Sequence, residues 1–159
     1  SGGIALALAR ERPHWHVTAL DVSEEALQVA RGNAVRTRLT SVHFVQSDWY
    51  QAVTGQRFNA LLGNPPYIDG DDPHLALGDV RFEPRSALVS SDSGLEDLGR
   101  LVTGAPDQLL DGGWLLLEHG FEQANAVRVM LHDAGFSQVS TRRDMSGQQR
   151  ITGGCWHAD

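Results

Sequence analysis

The sequence predicts an α/β fold: an open, mostly parallel sheet with helices packed on it and an antiparallel strand at its C-terminal end. Three observations predict it. Apolar runs of strand length alternate with segments whose apolar residues recur at helical spacing. Trp114-Leu115-Leu116-Leu117-Glu118 is almost continuously apolar, as parallel strands covered on both faces are. The last two apolar runs are joined only by a turn at Ser146-Gly147, too short for a parallel crossover.

Taken in order, Ser1-Gly2-Gly3 leads straight into the helix-forming run Ile4-Ala5-Leu6-Ala7-Leu8-Ala9-Arg10. A glycine turn that opens a helix ordinarily follows a strand, so a first strand and further glycines are expected upstream. Trp15 to Leu20 reads as a buried strand ending at Asp21. Ser23 is the expected N-cap of a helix reaching about Leu39, with Glu24 and Glu25 in the first turn and Leu27, Ala30 and Ala34 on one face. Val42 to Val45 is a short strand followed by Ser47-Asp48-Trp49, and Phe58 to Gly63 is the next strand. From Ile68 to about Ser93 the chain is polar, rich in turn residues and without a clear period. A helix is expected from about Leu95 to Leu110, interrupted by Gly104 and Pro106, and another from Phe121 to Ala134, stopped by Gly135. Strands around Gln138–Arg142 and Arg150–Trp156 close the pattern.

A chain of 159 residues with 41% hydrophobic and 21% charged residues is one domain's worth of globular protein. No apolar run approaches the length of a membrane span and no signal peptide is recognisable, so no membrane partner is expected. The single Cys155 fits a reducing compartment and reads as a small buried side chain. Every basic residue is Arg, which excludes a lysine nucleophile. A net charge of −7, with Arg142-Arg143 the one adjacent basic pair, argues against a nucleic acid as the direct substrate, because phosphate binding needs a concentrated basic face.

The most informative segment is Asn64-Pro65-Pro66-Tyr67 at the end of a strand. Neither proline has an N–H, so the turn presents carbonyl acceptors without competing donors. Asn64 adds a side-chain acceptor and Tyr67 a flat ring, an arrangement suited to a planar NH₂ group. An ordinary strand-ending turn has the same composition and is the competing reading. Strand ends of an open α/β sheet are also where nucleotide-like ligands bind. Asp21, 19 residues after Gly2, is placed to accept from ribose hydroxyls, and Asp48 with Trp49 to meet an adenine edge and face. A solvent-facing Asp21 and a packing role for Trp49 are the alternatives.

Asn64-Pro65-Pro66-Tyr67 resembles the signature of amino-group methyltransferases that use S-adenosylmethionine. With Ser1 to Ala9, Ser47-Asp48-Trp49, Ile68-Asp69, Asp72 to Leu75, Gly78 to Pro84 and Leu116 to Gly120, the chain resembles the catalytic domain of the HemK-type release factor glutamine methyltransferases over essentially its whole length. The resemblance implies the methyltransferase version of the Rossmann fold. It makes residues 1–159 a catalytic domain that lacks its first strand and the family's upstream helical domain. It also implies methyl transfer from S-adenosylmethionine to the glutamine amide of the Gly-Gly-Gln loop of release factors in the cytoplasm, leaving S-adenosylhomocysteine. Ser1, Gly2, Asp21, Asp48, Trp49 and Asn64 are then the expected cofactor residues. Asn64, Pro65, Pro66 and Tyr67 form the expected substrate site, with Asn64, Pro65 and Tyr67 carrying catalysis. A ribosomal-protein glutamine methyltransferase and a DNA or RNA amino-methyltransferase share the tetrapeptide and are the alternatives.

A sulfonium methyl is already activated, so neither a metal nor a covalent enzyme intermediate is expected. The seven His residues show no zinc spacing, and His119 reads as a packing or capping residue near the cleft. Asp69, Asp71 and Asp72 form an acidic loop facing solvent or a basic partner surface, with Arg81 and Glu83 as candidate ion-pairing residues within it.

Overall fold

The computed structural model describes residues 1–70 and 84–158, which form two compact units, Ser1–Gln56 and Arg57–Asp159. Asp71, Asp72, Arg81, Glu83 and most of the segment carrying the family resemblance after the tetrapeptide lie outside the described residues.

The first unit contains α1 (Gly3–Glu11), β1 (Thr18–Asp21), α2 (Glu24–Thr37), β2 (His43–Gln46) and a 3₁₀ turn, Gln51–Val53. β1 and β2 pair in parallel, with Asp21 opposite Gln46. β1 is shorter than expected: Pro13 to His16 are exposed, and the ladder begins only at Thr18. Leu6, Ala9, Ala34 and Val42 are buried together, with Val17, Ala19, Leu39 and Phe44 packed against them. Ser23 caps α2 as expected, its Oγ accepting from the Ala26 N–H at 3.1 Å. Gly2 has φ 74°, and a Cβ there would lie 2.9 Å from that of Ala30. Glycine is therefore required both by the left-handed turn and by the close approach of α2.

The second unit contains β3 (Phe58–Gly63), a 3₁₀ turn (Arg85–Ala87), the short α3 (Ser91–Gly94), α4 (Glu96–Gln108), β4 (Leu109–Glu118), α5 (Ala124–Asp133), β5 (Ser137–Arg143) and β6 (Gln149–Cys155). Its sheet has the order β3-β4-β6-β5; β3 and β4 are parallel, and β6 runs antiparallel to both of its neighbours. Leu98, Leu101, Val102 and Ala105 of α4 and Ala124, Val127 and Leu131 of α5 are buried with Leu115 and Leu117 of β4. α4 runs through Gly104 and Pro106 rather than breaking at them. Pro106 lies in the last turn, where its missing N–H removes one hydrogen bond from an end that frays anyway. The segment read as irregular before α4 contains the two short helical turns and a parallel bridge from Ile68 to Val89.

α5 ends in a Schellman motif: Gly135 has φ 86°, Phe136 N–H donates to the Leu131 carbonyl at 2.9 Å and Gly135 N–H to that of His132 at 3.0 Å. α2 ends with the same bond pair, Leu39 to Ala34 and Arg38 to Val35, yet Arg38 occupies the left-handed position at φ 59°. A side chain there costs backbone energy that glycine avoids. Arg38→Gly is expected to raise stability by about 0.5–1 kcal/mol in denaturant unfolding.

Beyond β4, His119 is fully buried. Its Nδ1 is 2.7 Å from the Gly120 carbonyl, which only accepts, so Nδ1 carries the proton. Burial, its main influence, pushes the His119 pKa down and favours the neutral ring. Nε2 is then an acceptor, 2.7 Å from Thr152 Oγ1, which donates to it. Thr141 Oγ1, receiving an Arg128 N–H at 2.9 Å, passes its own hydrogen to Thr152 at 2.8 Å. Every polar atom of this relay is satisfied across β4, β5, β6 and α5. Thr152→Val strips His119 of its donor and is expected to cost about 1–3 kcal/mol of unfolding free energy. The pH dependence has a definite sign. The unfolded chain takes up a proton at His119 below about pH 6.5, while the folded chain resists it. Stability from this group is intact above that pH and lost as pH falls toward the depressed folded value. Urea unfolding at pH 7.5 and 5.5 is expected to show a smaller drop in His119→Gln than in the parent.

Candidate active site

In the first unit, the ends of β1 and β2 are tied by the Ser47 N–H, which donates to the Asp21 carbonyl at 3.0 Å. This places Asp21 beside Ser47-Asp48-Trp49. Asp21 Oδ1 accepts from the Ser23 N–H at 3.0 Å, turning the chain into α2. Oδ2 takes no hydrogen bond among the described residues. One carboxylate oxygen thus shapes the turn while the other stays open for a hydroxyl donor. Asp48 is exposed and accepts from Gln51 Nε2 at 3.0 Å.

Trp49 is half-buried at φ 48°, a conformation that is a true outlier for a bulky residue. The buried Ser47 holds it there: Oγ donates to the Trp49 carbonyl at 2.8 Å and accepts from the Ala52 N–H at 3.0 Å. A shallow hollow of about 460 Å³ opens on this end of the unit, lined by Val22, Gln46, Ser47, Asp48, Gln51 and Ala52. Ser1 is exposed, with its carbonyl receiving Asn33 Nδ2 at 2.9 Å.

In the second unit, β3 delivers Asn64-Pro65-Pro66-Tyr67 beyond Gly63, which pairs with Leu117. Because β3 and β4 are parallel, the tetrapeptide emerges on the same side as Glu118 and His119. Pro65 is buried, whereas Asn64 is exposed and its side chain makes no hydrogen bond among the described residues. Tyr67 is held at both ends. Its hydroxyl donates to Glu118 Oε1 at 3.3 Å, and its carbonyl accepts from Gln123 Nε2 at 3.0 Å. Burial first, then the negative charge of Glu118, pushes the Tyr67 pKa up, so the hydroxyl keeps its proton. Gly94, at φ 80°, packs so closely that a Cβ would lie 2.1 Å from the Tyr67 carbonyl oxygen.

The first unit brings Asp21 beside Ser47-Asp48-Trp49, while Gly2 packs against Ala30 and Phe44; the second carries Asn64 to Tyr67 as one turn. Ser47, Gly94, Glu118 and Gln123 support those residues, yet none was expected to act there. Only Ser47 had a signal within reach, as a serine between a strand and a turn. Cys155 is buried as expected. Among the described residues there is no cluster of three or more potential metal ligands, and no helix is long and apolar enough to cross a membrane.

The sequence profile described as "Methyltransferase small domain" matches residues 1–128. The release factor glutamine methyltransferase of Pseudomonas aeruginosa is 54% identical over 149 residues, 94% of this chain and 54% of that protein. That of Vibrio cholerae is 48% identical over 96% of this chain and 54% of its own length, and that of Escherichia coli K12 45% identical over 99% and 57%. The chain spans about half the length of the curated relatives it matches. Among solved structures, a methyltransferase from Pyrococcus furiosus aligns with a TM-score of 0.70 at 22% identity, covering 96% of this chain and 68% of that one. A ribosomal protein L11 methylase from Lactobacillus delbrueckii subsp. bulgaricus aligns at 0.66 and 16% identity, covering 99% and 66%. These structural likenesses establish the fold. With that profile matched over four-fifths of its length, this chain belongs to the methyltransferase small domain family.

Proposed function

We propose that residues 1–159 are the catalytic domain of an enzyme that transfers a methyl group from S-adenosylmethionine to the side-chain amide nitrogen of the glutamine in the Gly-Gly-Gln loop of peptide chain release factors. The observation that carries this is the 45–54% identity, along nearly the whole chain, to proteins named release factor glutamine methyltransferase. The reaction then supports translation termination and belongs in the cytoplasm.

The residues fit such a cofactor. A carboxylate with one open oxygen at the end of β1 suits a ribose diol, and the helix start at Gly2 carries no side chain. Asp21, Asp48 and Trp49, with Ser1 and Gly2, are the proposed holders in the first unit, and Asn64 in the second. Bound S-adenosylmethionine supplies an electrophilic methyl on a sulfonium.

The protein's task is to present the amide nitrogen, whose lone pair is delocalised into its carbonyl. Asn64 Oδ1 and the Pro65 carbonyl accept its two N–H groups and fix its direction, while the Tyr67 ring stacks on the amide plane. Positioning of this kind is worth up to roughly 7–11 kcal/mol in favourable intramolecular models. The same acceptors stabilise positive charge developing on nitrogen as the methyl passes from sulfur to nitrogen, and the nitrogen then gives up one of its protons to water.

The test uses labelled S-adenosylmethionine with release factor, ribosomal protein and DNA offered in parallel to the full natural polypeptide. Label is expected on the release factor glutamine; label only on DNA or only on ribosomal protein would overturn the assignment. Asn64→Ala is expected to lower turnover by about 100-fold or more, with a smaller loss of cofactor affinity measured by equilibrium binding. Equal losses would refute the assigned roles.

A further inference from the structure

Gln123 stands at the start of α5, where a polar side chain ordinarily caps its own helix, yet it makes no capping bond. Its carboxamide turns the other way. Oε1 accepts from the Gly120 N–H at 2.9 Å, and Nε2 donates to the Tyr67 carbonyl at 3.0 Å. These two partners are backbone groups of fixed polarity, one able only to donate and the other only to accept, so the amide has one orientation. Gly120 is anchored in turn by the buried His119, whose Nδ1–H donates to the Gly120 carbonyl at 2.7 Å. Gly94 leaves room for this contact: a Cβ there would lie 2.7 Å from Gln123 Nε2 as well as against the Tyr67 oxygen.

We propose that Gln123 is a positioning residue for methyl transfer: it relays the fixed end of β4 to the Tyr67 carbonyl and so sets the Asn64-Pro65-Pro66-Tyr67 turn for the substrate amide. This rests on the glutamine methyltransferase reading above. Gln123 touches neither reacting group; it acts through Tyr67. The prolines at 65 and 66 stiffen the turn between Tyr67 and Asn64, so a displacement at Tyr67 reaches the acceptors at the other end. A misplacement on the order of 1 Å is enough to slow a reaction by about 100-fold.

Gln123→Glu separates the two arms. The carboxylate still accepts from Gly120 but sets an oxygen against the Tyr67 carbonyl. Gln123→Met keeps the volume and removes both arms. In the full natural polypeptide, three quantities are measured for each: kcat and cofactor Kd, thermal unfolding, and the ¹⁵N shift of the Ile68 amide, which adjoins the Tyr67 carbonyl. Gln123→Glu is expected to lower kcat about tenfold or more, leave the cofactor Kd within about twofold and move the Ile68 resonance. A kcat within twofold of the parent, a matching loss of cofactor affinity, an unmoved Ile68 signal, or unfolding of both variants would overturn the proposal. Should the parent fail to methylate release factor, the glutamine methyltransferase assignment fails; the Ile68 shift then decides whether Gln123 sets the turn.

Discussion

β4 is hydrogen-bonded along both edges of its apolar half, in parallel to β3 and antiparallel to β6, and the second unit depends on that double pairing. Leu115 and Leu117 face the helices and are buried, while Trp114, Leu116 and Glu118 alternate onto the other face. A slip of one residue would put Glu118 where Leu117 packs, burying a carboxylate and exposing a leucine. The register is therefore fixed, and with it the position of residues 118–123, which lead from β4 into α5. His119 reinforces this from below through Thr152 of β6 and Thr141 of β5.

The two units use one device to control a strand-end turn. A side chain from outside the turn takes hold of a backbone carbonyl: Ser47 that of Trp49, Gln123 that of Tyr67. The left-handed Trp49 costs about 1–3 kcal/mol that a relaxed turn would not, and the two hydrogen bonds of the buried Ser47 oppose that cost. The result is a Trp49 backbone held in one conformation just beyond the end of β2. At Tyr67 the device is supplemented by absence. Gly94 contributes by carrying no side chain where any Cβ would strike the bond.

What was legible in the sequence follows from how local each signal is. β3 occupies the expected residues, Phe58–Gly63, because a glycine and two prolines delimit it within a few positions. The α2 cap at Ser23 and the buried Leu27, Ala30 and Ala34 are set by spacing inside one helix. Gly104 and Pro106 misled because the helical cost of each depends on its distance from the helix end, and that end was set by β4 beginning at Leu109 rather than Trp114. The tetrapeptide was readable as chemistry, since its residues are adjacent. Gln123 was not: its partner is a backbone carbonyl 56 residues earlier, and no spacing rule links a helix-start glutamine to such a group.

The composition of the turn explains why its support has to come from outside. A turn is ordinarily held by its own N–H groups, but Pro65 and Pro66 have none. That leaves the Asn64 side chain, exposed and without a hydrogen bond among the described residues, open to a donor from elsewhere. The same lack leaves the turn unable to fasten itself. Tyr67 is the first of its last three residues with polar groups to spare, and both its hydroxyl and its carbonyl are fastened to residues on either side of His119. Its hydroxyl, kept protonated by burial and by Glu118, remains a donor to that carboxylate. An open acceptor at Asn64 and a clamped Tyr67 are two consequences of placing consecutive prolines between them.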